Sequence, residues 1–166
     1  AVKVDVARSL WLAPLTDLSR AKQVASDAGE LTELESVAWM PDGRVLYTST
    51  ESGNADIWIY DPATATRRQL TTNPRDDFTP ASSSDGRTIV FASDRSGATT
   101  LWAMSDAGDG SARQLTHGGD SRPSMSPDGT VVFQRGVIQS APIELWRVPL
   151  EGGGRLVVEL NQEEAR

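Results

Sequence analysis

The chain has 166 residues, with 16 basic and 23 acidic side chains, a net charge of −7, one histidine and no cysteine. Its length suits one domain with a sizeable core. The acidic balance excludes nucleic acid and an anionic membrane as the main partner, because both reward basic patches, and the lack of cysteine excludes disulfides and thiolate sites.

The N-terminal "AVKVDVARSLW" lacks the charged-then-apolar layout of a signal peptide, and a first residue other than Met leaves export open. No apolar run approaches the roughly 18 residues that span a bilayer, so no membrane insertion is predicted. The front of the chain reads as part of a repeat unit over 1–27. "SLWLAPL" (9–15) and "AKQVAS" (21–26) are its third and fourth strands, and "AVKVDV" (1–6) is placed as its second.

Three fuller units follow, at 33–72, 77–117 and 120–160, ahead of a polar tail at 161–166. Each begins with a short strand: "SVAWM" (36–40), "TPASS" (79–83) and "RPSMS" (122–126). A tight turn follows in "WMPDGRVLY", "SSSDGRTIVF" and "MSPDGTVVF". Asp42, Asp85 and Asp128 stand in these turns at a constant 43-residue interval. Gly43, Gly86 and Gly129 are predicted to take the positive φ that closes each hairpin. Second strands ("RVLYTS", "TIVFAS", "TVVFQR") and third strands ("DIWIYD", "TLWAMS", "ELWRVP") are nearly continuously apolar, as in strands covered on both faces. "RQLT" recurs at 68–71 and 113–116 in the fourth strand. Four strands per 40–45 residues is the propeller-blade period. The fold class is therefore all-β: a β-propeller of four-stranded antiparallel blades, three complete and one partial at the N-terminus. Trp58, Trp102 and Trp146 recur every 44 residues and are predicted to pack blade against blade. Trp39, in an innermost strand, is predicted to line or plug the central channel.

The composite "SPDG…FASDRSG…LW…RQLT" resembles the WD-like repeats of the TolB propeller family. It is also similar to sensor-like domains on bacterial transcription regulators and kinases, and to the propellers of tricorn and prolyl oligopeptidase-type peptidases. The resemblance covers nearly the whole chain. It implies a propeller of extracytoplasmic, periplasmic type and, by analogy, a protein partner such as a peptidoglycan-associated lipoprotein. The "RGVIQSAP" loop (135–142) departs from the family's "SDRSG" pattern by being longer.

Chemistry is sparse. His117 is the single histidine, no Gly-x-Ser-x-Gly elbow is present, and no Cys/His set fits zinc. Asp106 and Asp109 lack the spacing and closing Glu of a calcium loop, and the Asp76–Asp77 pair reads as solvated turn residues. No catalytic residue, metal or cofactor is predicted. Strand order places the Asp-Gly turns on one face of the propeller. The opposite face gathers the second-to-third strand loops and the connections between units, with Glu51, Arg75, Asp76, Asp77, Asp94, Arg95, His117, Asp120, Arg122 and Arg135. A protein or peptide partner is predicted on this second face. The leading reading is a non-catalytic binding or scaffold module. The alternatives are the propeller of a prolyl oligopeptidase-type hydrolase whose catalytic domain lies elsewhere, and a ligand-sensing domain of a regulator or kinase. An arc of three and a half blades leaves apolar faces uncovered, so self-association through a second copy is also expected, with a small closed four-bladed ring as the alternative.

Overall fold

Three related turns generate the architecture. Met40 N–H donates to Arg44 O at 2.8 Å and Gly43 N–H to Met40 O at 3.0 Å, a three-residue loop that ends in a left-handed glycine. The turn at 126–130 repeats it, while the one at 83–88 is a residue longer. In each, the aspartate accepts the backbone N–H two residues on, from Arg44, Arg87 and Thr130. Ser83 Oγ and the Arg87 N–H hold the Asp85 carboxyl below the usual carboxylate range, and Ser126 Oγ and the Thr130 N–H do the same for Asp128. Gly86 and Gly129 have φ of 71° and 83°. A Cβ at Gly129 would meet nothing closer than Leu150 Cδ1 at 3.9 Å, so the obstacle there is backbone conformation rather than space. Gly86→Val and Gly129→Val are each expected to lower stability by about 1–3 kcal/mol. Unchanged denaturant midpoints would show that the turns relax to negative φ.

The computed structural model describes residues 7–28, 36–136, 143–152 and 155–159. The first sheet pairs β1 (Ala7–Leu12) with β2 (Lys22–Ala28), joined through a single 3₁₀ turn at Leu18–Arg20. The second holds β3 (Val37–Trp39), β4 (Val45–Ser49), β5 (Asp56–Asp61) and β6 (Thr66–Gln69). The third holds β7 (Asp77–Ser82), β8 (Thr88–Ser93), β9 (Thr100–Ser105) and β10 (Gly108–Gln114). The fourth holds β11 (Asp120–Met125), β12 (Thr130–Arg135), β13 (Glu144–Pro149) and β14 (Arg155–Glu159). Every complete sheet is an antiparallel meander with its strands in chain order, the propeller-blade topology. The strand assigned to 1–6 and the tail at 161–166 lie outside the described residues.

Core packing sits between sheets. Val24, Ala25, Val45, Tyr47 and Tyr60 join the first sheet to the second. Leu46, Ile57, Ile59, Leu70, Ile89 and Phe91 join the second to the third. Val90, Leu101, Leu115, Val131, Phe133 and Val148 join the third to the fourth. Second and third strands are buried on both faces in the second and third sheets, as their apolar runs require. In the fourth sheet β12 and β13 are buried on one face only, because no described sheet lies beyond them.

Each residue of the repeated "RQLT" has a separate task. Leu70 and Leu115 enter the core. Thr71 and Thr116 Oγ1 each accept a third-strand N–H, from Ile57 and Leu101, at 2.9 Å. Gln69 and Gln114 donate to Asp56 and Thr100, which stand two residues before the blade tryptophan. Gln23 of the first sheet makes the same contact to Ser9, two residues before Trp11, which identifies β1 and β2 as the outer half of a blade. Arg68 and Arg113 reach forward to the next sheet's hairpin, donating to the Asp106 and Ala107 carbonyls and to the Leu150 carbonyl. The arginine thus gives these two interfaces a direction. One boundary differs from the sequence reading. β10 starts at Gly108 rather than near Ala112, because a register irregularity absorbs the extra residues and Ser111 Oγ bonds back to Ser105.

Candidate partner-binding face and axial groove

Loops 50–55 and 94–99 and the connections at 70–76 and 115–119 lie at one end of the sheets and are tied to one another. Asp77 N–H donates to Ala55 O, Asp120 N–H to Thr99 O, and Asp94 N–H to Asp76 O. Asn54 Nδ2 donates to the carbonyls of Asn73 and Arg75, and Asp76 Oδ1 accepts the Ala55 N–H. A rigid rim results.

Beneath the rim lies an element used twice. Asp77 and Asp120, first residues of their innermost strands, have no exposed side-chain surface. Arg95 Nη2 donates to Asp77 at 2.6 Å, and its guanidinium stands 5.0 Å from the Trp102 ring and 5.2 Å from Phe91. Arg135 grips Asp120 through Nε at 2.6 Å and Nη2 at 3.1 Å, and stacks 3.8 Å from Trp146. The two arginines arrive by different routes: Arg135 ends β12, whereas Arg95 folds back from two residues beyond β8. Gly118 makes the second pair possible, since a Cβ there would stand 2.7 Å from Arg135 Nε, and its N–H also donates to Asp120. Burial pushes the Asp77 carboxyl up, against the pull of Ser93 and Arg95.

These contacts redistribute the predicted face. Asp77 and Asp120 are enclosed and Arg95 is only 10% exposed, so all three brace the rim instead of meeting a partner. Asp76 is spent on the Ala55 N–H, Asp94 is half-buried, and Glu51 pairs with Arg67. Arg75 and His117 are exposed on the rim. Arg122 lies apart from them, in the innermost strand of the fourth sheet.

Arg122 belongs to a feature that the sequence reading missed. It has φ of +51°, and Thr79, two residues into β7 as Arg122 is two residues into β11, has φ of +50°. Each precedes a proline, and each interrupts its ladder between Phe78 and Ala81 or between Ser121 and Ser124. A left-handed conformation at a β-branched residue is strained and is retained only where the surroundings enforce it. With Ser36, Val37, Pro80 and Pro123 these residues line an open groove of about 380 Å³ between the innermost strands. Thr79 Oγ1 is buried there without a hydrogen-bond partner. The readable signal was the matched "TP" and "RP" at 79–80 and 122–123. Trp39, expected at the central channel, is not among the residues that line this groove; it pairs with Val45 and is 62% exposed.

Residues 8–153 match the family described as TolB beta propeller domain. A Tol-Pal system protein TolB of Anaeromyxobacter dehalogenans (strain 2CP-C) is 38% identical over 110 residues, covering 66% of this chain and 25% of that protein. The uncharacterized peptidase YuxL of Bacillus subtilis (strain 168) is also 38% identical, over 119 residues, covering 64% of this chain and 18% of that protein. The chain therefore spans a quarter or less of these relatives. Among solved structures, a putative TolB from Agrobacterium tumefaciens superposes with a TM-score of 0.72 at 24% identity, over 84% of this chain and 53% of that one. A puromycin-hydrolyzing peptidase of Mycobacterium tuberculosis superposes with a TM-score of 0.64 at 15% identity, over 86% of this chain and 23% of that one. Both show the fold.

Proposed function

The chain belongs to the TolB β-propeller domain family, and on that premise we propose that it is a non-catalytic, extracytoplasmic protein-binding module whose partner contacts the rim and the adjoining axial groove. The observation that carries this reading is the division of labour among the charged residues. Two enclosed Asp–Arg pairs make the rim rigid, while Arg75, His117 and Arg122 remain exposed on it and beside it. A surface held in advance loses little freedom on binding, and exposed arginines are frequent interface anchors. Strained Thr79 and Arg122, the former with its own hydroxyl buried and unpartnered, fit a surface shaped for contact rather than for stability.

Titration with the peptidoglycan-associated lipoprotein of the cell that encodes the chain tests this. Saturable binding is expected, weakened about tenfold or more by the double variant Arg75→Glu/Arg122→Glu with its melting temperature unchanged. Full binding by that variant would overturn the assignment of the face. Peptide and ester panels are expected to show no turnover. Hydrolysis that survives repurification and disappears in His117→Ala would overturn the non-catalytic part. The peptidase relative favours a second reading, in which this arc is the propeller of a hydrolase whose catalytic domain lies in another part of the protein. The rim would then face that domain.

A further inference from the structure

Three stretches at a constant 43-residue interval, 36–38, 79–81 and 122–124, line the groove between the innermost strands of the second, third and fourth sheets. The first residue of each carries a hydrogen-bond donor: the hydroxyls of Ser36 and Thr79 and the guanidinium of Arg122. Ser36 Oγ and Thr79 Oγ1 are both buried, and neither has a hydrogen-bond partner. A buried hydroxyl left in that state lowers stability, and here the same loss occurs at two equivalent positions. Thr79 and Arg122 are also the left-handed residues at which β7 and β11 break their ladders, an irregularity that re-aims a side chain. Pro80 and Pro123 follow them and have no N–H, so an incoming chain meets no backbone donor at those positions. The chain carries a net charge of −7, yet among the described residues no carboxylate lines the groove.

We propose that this groove is a carboxylate-binding subsite, in which the Ser36 and Thr79 hydroxyls and the Arg122 guanidinium hold an Asp or Glu side chain of the protein partner. The inference rests on the binding reading above and adds the chemistry that the partner must present. Two hydroxyl donors and a cation match an ionised carboxylate, which only accepts and does so at both oxygens. A hydroxyl that donates to a charged acceptor makes a stronger bond than one between neutral groups, which offsets what the two orphaned donors lose in the free protein. Arg122 Nη1 also donates to Gln134 Oε1 at 3.3 Å, a neutral acceptor that helps to place the guanidinium. A chain-terminal carboxylate is the poorer match. Backbone N–H groups and added strands ordinarily capture chain ends, and the two prolines withdraw donors of that kind.

Titration of the chain with acetate, followed by amide NMR shifts, is the test, with acetamide and sodium chloride at matched ionic strength as controls. Saturable shifts are expected at Ser36, Thr79, Ala81 and Ser124 with acetate alone, at a dissociation constant of about 1–10 mM, ordinary for so small a ligand. Thr79→Val should weaken acetate about tenfold or more. It should also raise the melting temperature by about 2–4 °C, because it removes a buried unpartnered hydroxyl and keeps the side chain's shape. Arg122→Gln should weaken acetate to a similar degree without that rise. Equal responses to acetate and chloride would overturn the inference, and so would a Thr79→Val chain that binds acetate normally or melts lower. N-acetylglutamate methylamide, which carries a side-chain carboxylate, should bind more tightly than N-acetylglycine, which mimics a chain end; the reverse order would refute the side-chain assignment. Acetate should also displace the peptidoglycan-associated lipoprotein. Lipoprotein binding by a chain indifferent to acetate would sink the subsite and leave the protein-binding reading standing. Saturable acetate with no lipoprotein binding would remove that reading, and with it the partner side chain as occupant, while the anion site stands.

Discussion

Removal of the Arg135 side chain in Arg135→Ala is expected to cost about 3–5 kcal/mol, the range for breaking one partner of a buried ion pair. Asp120, whose side chain is fully buried, would lose two charge-assisted hydrogen bonds and, among the described residues, keep the Gly118 N–H. The Trp146 ring would lose its stacked cation. Arg135→Lys should recover less than half of the loss, because an ammonium cannot hold both carboxylate oxygens and lie flat on an indole. Urea midpoints with an unchanged slope are the readout, and a loss under about 1 kcal/mol would mean that the pair behaves like a surface bridge.

The companion pair adds a pH dependence whose sign follows from burial. Asp77 is pushed up by desolvation, so the folded state holds its proton to a higher pH than the unfolded chain, whose aspartates titrate near about 4. Its contribution is fully present below that value and is lost as pH rises through the raised folded one. Stability of Asp77→Asn relative to wild type should therefore rise with pH over that window. The turn aspartates Asp85 and Asp128 act in the opposite sense, since their lowered values make stability fall as acid protonates them.

The same four residues mark the limit of what the primary structure reveals. Blade number, strand order and turns were legible because short apolar strand runs and turn glycines are local properties, written three times in the chain. The Asp–Arg pairs were not, and Asp77, Arg95, Asp120 and Arg135 read simply as charges in loops. Arg95 follows its strand by two residues while Arg135 ends its own, so the two do not align although they do the same work. One signal was present: Asp77 and Asp120 each precede their turn aspartate by eight residues. A carboxylate repeated at fixed spacing within a repeat is fixed by the blade interior. The strain at Thr79 and Arg122 was hidden for another reason. A residue before proline is ordinarily extended, and only the sheet geometry around it forces a positive φ.

The largest loss from a single apolar truncation is expected at Phe91, not at the tryptophans that dominate the sequence pattern. Phe91→Ala should cost about 3–5 kcal/mol and Trp102→Ala less, about 2–3 kcal/mol. The two residues are register partners, as are Tyr47 with Trp58 and Phe133 with Trp146, so each interface carries a cross-strand aromatic pair. Within a pair the burden is unequal. Phe91 is fully enclosed, surrounded by Leu46, Ile57, Ile89 and Met104, and no backbone shift of two rigid sheets can close the void it would leave. Trp102 keeps part of its ring at the surface and anchors its indole N–H on Thr100 Oγ1 at 3.0 Å. Its removal admits water more readily than it opens a cavity. The pair also shares Arg95, which loses a ring in either variant, so the double variant Phe91→Ala/Trp102→Ala should fall short of the sum of the two single losses. Chemical denaturation of the two single variants and the double one decides the matter. A Trp102→Ala loss equal to or larger than that of Phe91→Ala would mean that the outer strands, rather than the second strands, carry the blade interface.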